Sequence, residues 1–316
     1  MFYRSAPGPT LARLDGPTAS RPTSLAVLAD PHVTARGRGT WRVLHRTVQR
    51  ARTAVTEANR LDVDGVVVAG DLTDGGAPHE FDRADALLAG ADAPTLAVPG
   101  DHDVSGAGDD PGSAPATAFA DRFADGRYPF VARIGGIDLV GIDTASGVAT
   151  DGAAGVSAPQ LDWLESILPG LERPVVVCHH PLADLDEAGT DAPGSRIENA
   201  QELARVLRDG GVELVLSGHR HWPGTGTIGG VREIVAPAVC SLPQAFLHLR
   251  IDAEGAIVDL IPLAERTGFE EAYAHARDDG RWLAERVDDG GLARFPLVDE
   301  RSEPTAAADK RVTPGP

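Results

Sequence analysis

The chain has a single lysine, Lys310, among 29 basic residues, set against 47 acidic ones, for a formal net charge of −18. A surface this acidic repels nucleic acid and anionic membranes, so neither is an expected partner. A phosphate-bearing substrate must be attracted locally, and a bound cation is the direct means. Scarce lysine beside abundant carboxylate predicts a halophilic cytoplasm, where high salt screens the charge.

Cysteine is almost as scarce. Cys178 and Cys240 are the only two, they fall in separate predicted strands, and two do not make a secreted disulfide scaffold. Buried free thiols are expected. Long apolar runs are missing too, and nothing approaches a membrane span. The first 22 residues carry Pro7, Pro9 and Pro17 and no continuous apolar segment, so no signal peptide is expected and a cytoplasmic location is. With 316 residues, 42% of them hydrophobic, the chain can build one large domain or two small ones.

Apolar, β-branched runs that end in polar residues are plentiful. Ser24–Ala29 leads into Asp30-Pro31-His32, and Gly65–Ala69 leads into Gly70-Asp71-Leu72-Thr73-Asp74. Thr95–Val98 leads into Pro99-Gly100-Asp101-His102-Asp103, Pro174–Cys178 into His179-His180-Pro181, and Glu213–Ser217 into Gly218-His219-Arg220-His221. Open α/β sheets hold their ligands at the carboxyl ends of buried strands. Each block alone reads as an ordinary capping turn, whereas five in one chain read as a site. Between the first three strands, helices are predicted over Trp41–Asn59 and around His79–Leu88, which makes a mainly parallel sheet. An edge strand is predicted near Leu11–Leu14, a short helix at Ala116–Phe123, and a hairpin over Phe130–Ile142. Further helices are predicted at Pro159–Leu168 and near Glu198–Arg208. The hairpins between Thr225 and Ile261 predict a second, more antiparallel sheet, and Phe269–Val287 a charged helix.

The five strand ends supply Asp30, His32, Asp71, Asp101, His102, His179, His180, His219 and His221. Mixed imidazole and carboxylate donors suit Mn, Fe or Zn. Nine such groups are too many for one ion and about right for two, a device that recurs in phosphoryl displacement.

As an ordered set, Asp30-x-His32, Gly70-Asp71, Gly100-Asp101-His102-Asp103, His179-His180-Pro181 and Gly218-His219-x-His221 resemble the motifs of the calcineurin-like metallophosphoesterases over about residues 24–240. Gly155–Leu164 resembles the matching segment of the cyclic-nucleotide and glycerophosphodiester phosphodiesterase branch. The resemblance implies a four-layer α/β/β/α sandwich around two mixed sheets. It implies one metal on Asp30, His32, Asp71 and His221, and a second on Asp71, Asp101, His179 and His219, with Asp71 bridging. The pair would be two divalent ions, or one trivalent and one divalent. His102 would contact the phosphate and the leaving oxygen, with Asp74 orienting it. His180, Asp103 and Arg220 would stand behind the ligands or near the substrate. Where the family usually has asparagine this chain has Asp101, which makes the centre one charge unit less positive and weakens its pull on phosphate.

The expected organisation is an extended segment 1–22, a catalytic domain 23–265, a helical extension 266–300 and a disordered tail 301–316. The expected partner is a small phosphoester, most simply a phosphodiester attacked in line by an acidified water. A homodimer is the expected form if the chain self-associates. A phosphomonoesterase or protein phosphatase would share the metal site and add arginines, for which Arg36, Arg38, Arg196 and Arg220 are candidates. A metal-free scaffold of the same fold would have lost ligands, and none is missing. A DNA exonuclease would need a basic groove, which this composition does not supply.

Overall fold

The computed structural model describes residues 2–4, 8–35, 37–104, 115–124, 126–146, 154–185 and 196–301. Its strands follow the apolar runs. β1 (Thr10–Leu14) and β2 (Thr23–Leu28) precede α1 (Thr47–Leu61); β3 (Gly65–Ala69), α2 (Pro78–Leu88) and β4 (Thr95–Val98) follow. Next come α3 (Ala116–Phe123), β5 (Phe130–Ile134), β6 (Ile137–Gly141), α4 (Ala158–Ile167), β7 (Pro174–Val177), α5 (Ala200–Asp209) and β8 (Leu214–Ser217). The chain continues through β9 (Gly224–Ile228), β10 (Val231–Val235), β11 (Ala245–Asp252), β12 (Gly255–Pro262), α6 (Arg266–Asp278), α7 (Trp282–Asp288) and β13 (Val298–Asp299).

Two mixed sheets result, in the orders β13-β1-β12-β11-β2-β3-β4 and β5-β6-β7-β8-β10-β9. Side chains alternate across each strand and so sort into layers. Leu25 and Val27 of β2 and Val67 and Ala69 of β3 meet Val175, Val177, Leu214 and Leu216 of the other sheet. Ala26, Leu28, Val66 and Val68 face the other way and pack on Ala54 and Ala58 of α1 and Phe81 and Ala84 of α2. Val176 and Val215 pack on Leu164 of α4 and Leu203 and Leu207 of α5. The architecture is therefore the expected four-layer α/β/β/α sandwich. Cys178 and Cys240 are free and buried, as expected.

The C-terminal hairpins do not form a sheet of their own. β9 and β10 extend the second sheet through a parallel pairing of β10 with β8. β11 pairs antiparallel with β2, which brings β11 and β12 into the first. The segments 1–22 and 266–300 each send a strand into the first sheet, where β13 pairs with β1, so β1 is not the edge. The helix expected from Trp41 starts at Thr47 instead, after a 3-10 turn at Leu44–Arg46. Val43 sits in the left-handed region (φ 50) and is fully buried beside Trp222 and Leu242, so tertiary packing overrides local helix preference. The helix expected over Phe269–Val287 is two helices, α6 and α7, broken at Gly280, where a φ of 62 suits glycine. Of the substrate-facing segments expected at 104–128, 144–156 and 182–197, residues 105–114, 125, 147–153 and 186–195 lie outside the described residues, as does 302–316 of the expected tail. Among the described residues, no helix is long and apolar enough to cross a membrane.

Candidate metal centre

The parallel strands β2, β3 and β4 of one sheet and β7 and β8 of the other deliver their carboxyl ends to a common edge. Backbone hydrogen bonds stitch the emerging turns together. Asp30 N–H donates to Gly70 O (3.1 Å), His32 N–H to Asp71 O (2.9 Å) and Gly218 N–H to His179 O (2.9 Å). Asp30, His32, Asp71, His219 and His221 all have positive φ, between 43 and 65. A side chain in that region costs about 1–2 kcal/mol. Five such residues in one place are a concentration of strain of the kind functional sites hold. Glycine permits the close approach. A Cβ on Gly100 would lie 2.1 Å from Asp71 Oδ1, and one on Gly70 would lie 2.3 Å from His179 Nδ1.

Asp71 stands at the middle, 2% exposed. Its Oδ2 lies 3.3 Å from His32 Nε2, and its Oδ1 lies 3.4 Å from His179 Nε2. On the first side, His221 Nε2 is 3.4 Å from Asp30 Oδ1. On the second, His179 Nε2 and His219 Nδ1 lie 3.1 and 3.3 Å from Asp101 Oδ1. All seven expected ligands thus converge, in two groups that meet at Asp71. The back faces of the rings are tied down in ways that fix the free nitrogen. His179 Nδ1 donates to Ala69 O (2.9 Å), and His221 Nδ1 meets Ser241 Oγ (2.7 Å).

The donor set fits divalent cations. Asp30 Oδ1 and both ring nitrogens of His32 are buried with no hydrogen bond of acceptable geometry. Leaving such atoms unsatisfied costs about 1–3 kcal/mol each, which a cation among them would offset. Two of the donors also carry the charge state that a cation needs. Burial, with His32 and Arg42 nearby, holds His221 well below its ordinary pKa, so it is a neutral donor. Burial alone would raise the Asp101 carboxyl, but the imidazoles of His179, His180 and His219 outweigh that and hold it below the carboxylate range.

His180 is closer to the centre than a supporting role requires. Its Nε2 is 3.3 Å from Asp101 Oδ1, while its Nδ1 lies 3.1 Å from Thr144 Oγ1; burial lowers its pKa to about 4. Asp103 is fully buried, and its carboxylate accepts from Leu72 N, Thr73 N, Thr73 Oγ1 and Gly100 N (2.7–3.0 Å), which locks the turns bearing Asp71 and Asp101 together. His102 sits at the rim. Its Nδ1 donates to the backbone carbonyl of Asp74 (2.7 Å). The Asp74 carboxylate lies instead 3.3 Å from His32 Nδ1 and 3.7 Å from an Arg42 nitrogen. Burial would raise the Asp74 pKa, but His32, and after it Arg42, outweigh that and lower it.

Of the arginines expected near a phosphate, Arg196 pairs with Asp184 on the surface, Arg38 is exposed, and Arg220 lies 5.9 Å from the Trp282 ring of α7. Arg36 lies outside the described residues. The arginine found at the site is Arg42, which donates to His102 Nε2 at 3.0 Å. A second unforeseen residue is Glu233 of β10, 1% exposed. Its carboxylate accepts from Leu182 N (3.1 Å), Ala183 N (2.7 Å) and Ser217 Oγ (2.6 Å), and so ties the turn after His179 to the one before His219. Its in-phase position with Val231 and Val235 on a buried strand was the available signal.

Residues 23–223 match the calcineurin-like phosphoesterase family. A probable cyclic nucleotide phosphodiesterase of Rhodococcus erythropolis is 28% identical over 226 residues, 68% of this chain and 70% of that protein. A 3′,5′-cyclic-nucleotide phosphodiesterase of Nostoc sp. is 29% identical over 188 residues, 58% of this chain and 65% of that protein. Among solved structures, a dimetal phosphatase from Danio rerio superimposes with a TM-score of 0.62 at 17% identity, covering 77% of this chain and 97% of that one. At that identity the likeness speaks for the fold. The family match spans well over half of the chain and includes all five strand-end blocks, so this protein belongs to the calcineurin-like phosphoesterases.

Proposed function

We propose that this chain is a dinuclear metal-dependent phosphodiesterase acting on small phosphodiesters, of the cyclic-nucleotide or glycerophosphodiester type. The observation that carries the reading is Asp71, whose two carboxylate oxygens each lie within 3.4 Å of an imidazole nitrogen from opposite sides. The names of the Rhodococcus and Nostoc relatives support the diester as substrate.

In this reading Asp30, His32, Asp71 and His221 hold one divalent ion, and Asp71, Asp101, His179 and His219 hold the other. Bound there, the ions supply Lewis-acid activation of water and neutralise charge developing on the phosphoryl oxygens. The chain's own groups do the rest. Asp103 and Glu233 fix the turns that carry the ligands, and Ala69 O and Ser241 hold two of the imidazoles in register. His102, with Nδ1 committed to the Asp74 carbonyl, stands at the rim with Nε2 beside Arg42, and the pair meets the phosphoester and its leaving oxygen. No side chain is required to form a covalent intermediate.

The test is hydrolysis of bis(p-nitrophenyl) phosphate beside p-nitrophenyl phosphate, with protein stripped by chelator and resupplied with Mn²⁺ in molar KCl. Diester turnover should be lost on stripping and regained with Mn²⁺. His102→Ala should reduce it about 10²–10⁴-fold at unchanged metal content. Turnover of the monoester alone would replace this reading with a phosphatase.

A further inference from the structure

We propose that Arg42 is a substrate-binding residue of this site, holding a non-bridging oxygen of the phosphoester beside His102, and that the turn between α6 and α7 keeps it there. This rests on the phosphoesterase reading above and goes beyond it by bringing in residues outside the ligand motifs.

Arg42 reaches the site because α1 starts late. The left-handed turn at Val43 lets residues 37–42 run past the metal ligands instead of coiling away. The Arg42 guanidinium then donates to His102 Nε2 at 3.0 Å. An arginine offers five N–H donors and no acceptor. Nε2 must therefore accept, in keeping with a His102 whose Nδ1–H donates to Asp74 O. Among the described residues, Arg42 Nε is buried with no hydrogen-bond partner. The side chain is 27% exposed, and its ion pair with Asp74 Oδ1 is long, at 3.7 Å, and shared with His32 Nδ1, 3.3 Å from the same oxygen. A guanidinium this poorly satisfied, at the rim of a phosphoester site, has donors to spare for an anion.

Charge gives a second reason. Asp101 makes the centre one unit less positive than asparagine would. Arg42 brings one positive unit to the same rim, 3.0 Å from His102 Nε2, which in turn lies 4.0 Å from Asp101 Oδ2. In a chain of net charge −18, a local cation of this kind is what a phosphate must find.

The C-terminal helices hold the arm in place. Trp41 N–H donates to Asp279 Oδ2 (2.7 Å). The Trp41 indole packs 4.8 Å from the His221 ring, with the Arg42 and Arg281 guanidinium carbons 5.0 and 4.3 Å from its centroid. Asp279 and Arg281 flank the Gly280 break, so that break is where the extension meets the site. These two are positioning residues.

Inorganic phosphate is the probe, titrated calorimetrically into the Mn²⁺-loaded full chain, with metal content measured on every sample. Arg42→Ala should weaken phosphate binding about 10- to 100-fold at unchanged metal content, the range for a charge-assisted hydrogen bond. Arg42→Lys should recover part of it. Asp279→Ala should raise KM for the diester several-fold with kcat nearly kept, and Asp279→Asn, which keeps an acceptor oxygen, should restore it. Adding Asp101→Asn to Arg42→Ala should return phosphate affinity towards wild type, because it returns the missing charge. Wild-type phosphate affinity in Arg42→Ala at full metal content would overturn the proposal while leaving the phosphodiesterase reading intact. A metal-loaded wild type that binds no phosphate and turns over no ester would overturn both.

Discussion

Asp71→Asn should lose the metal on the Asp30 side and with it at least about a thousandfold of diester hydrolysis, roughly 4 kcal/mol of transition-state stabilisation. Asp71 Oδ1 already accepts His102 N–H at 3.0 Å. An asparagine oxygen will keep that position, which turns the amide nitrogen towards His32 Nε2, where Oδ2 now stands 3.3 Å away. An amide nitrogen cannot ligate, and a unit of negative charge is lost between two cations. Elemental analysis should find no more than one ion per chain, with the far-ultraviolet circular dichroism unchanged. Two ions per chain with a tenth of the activity retained would show that Asp71 does not bridge.

Glu233→Ala should cost about 3–9 kcal/mol of stability, because three buried donors lose their acceptor at about 1–3 kcal/mol each. Those donors are Leu182 N, Ala183 N and Ser217 Oγ. Burial raises the Glu233 pKa, and the same three bonds oppose it. Every partner donates, so the Glu233 carboxyl oxygens act as acceptors. A loss of that size is a large share of a typical folding free energy of about 5–15 kcal/mol. Leu182 follows His179-His180-Pro181 and Ser217 precedes Gly218-His219, so the metal on that side should bind more weakly even where the fold survives. Glu233→Gln should be milder, because it keeps one acceptor oxygen. Urea unfolding of the metal-free protein measures the effect, and a cost under about 1 kcal/mol would remove Glu233 from the scaffold of the site.

The strand ends were legible because both signals are local: a run of Val, Leu and Ala, then a polar turn. The five blocks therefore lie together as the motif order implied. Sheet membership was not legible, because β11 pairs with β2 across more than two hundred residues and a hairpin's own sequence does not record its outer neighbour. The start of α1 was hidden by Val43, whose left-handed backbone answers to packing against Trp222 rather than to its own preference. That difference concealed Arg42, which falls inside the helix expected over Trp41–Asn59. Asp74 shows a finer limit. The resemblance implies that Asp74 orients His102 without saying through which atom, and in the structure the bond between them is made by the backbone carbonyl. The left-handed φ of the ligands themselves is likewise imposed by the two sheets meeting, not by Asp30 or His221 alone.

The most direct measurement is the number of Mn²⁺ ions the wild-type chain takes up after chelation, by elemental analysis together with electron paramagnetic resonance. Two ions per chain and a spin-coupled signal from a pair are expected, since Asp71 faces His32 with one oxygen and His179 with the other. A folded chain that takes up a single uncoupled ion, or none, would contradict a centre built around that carboxylate.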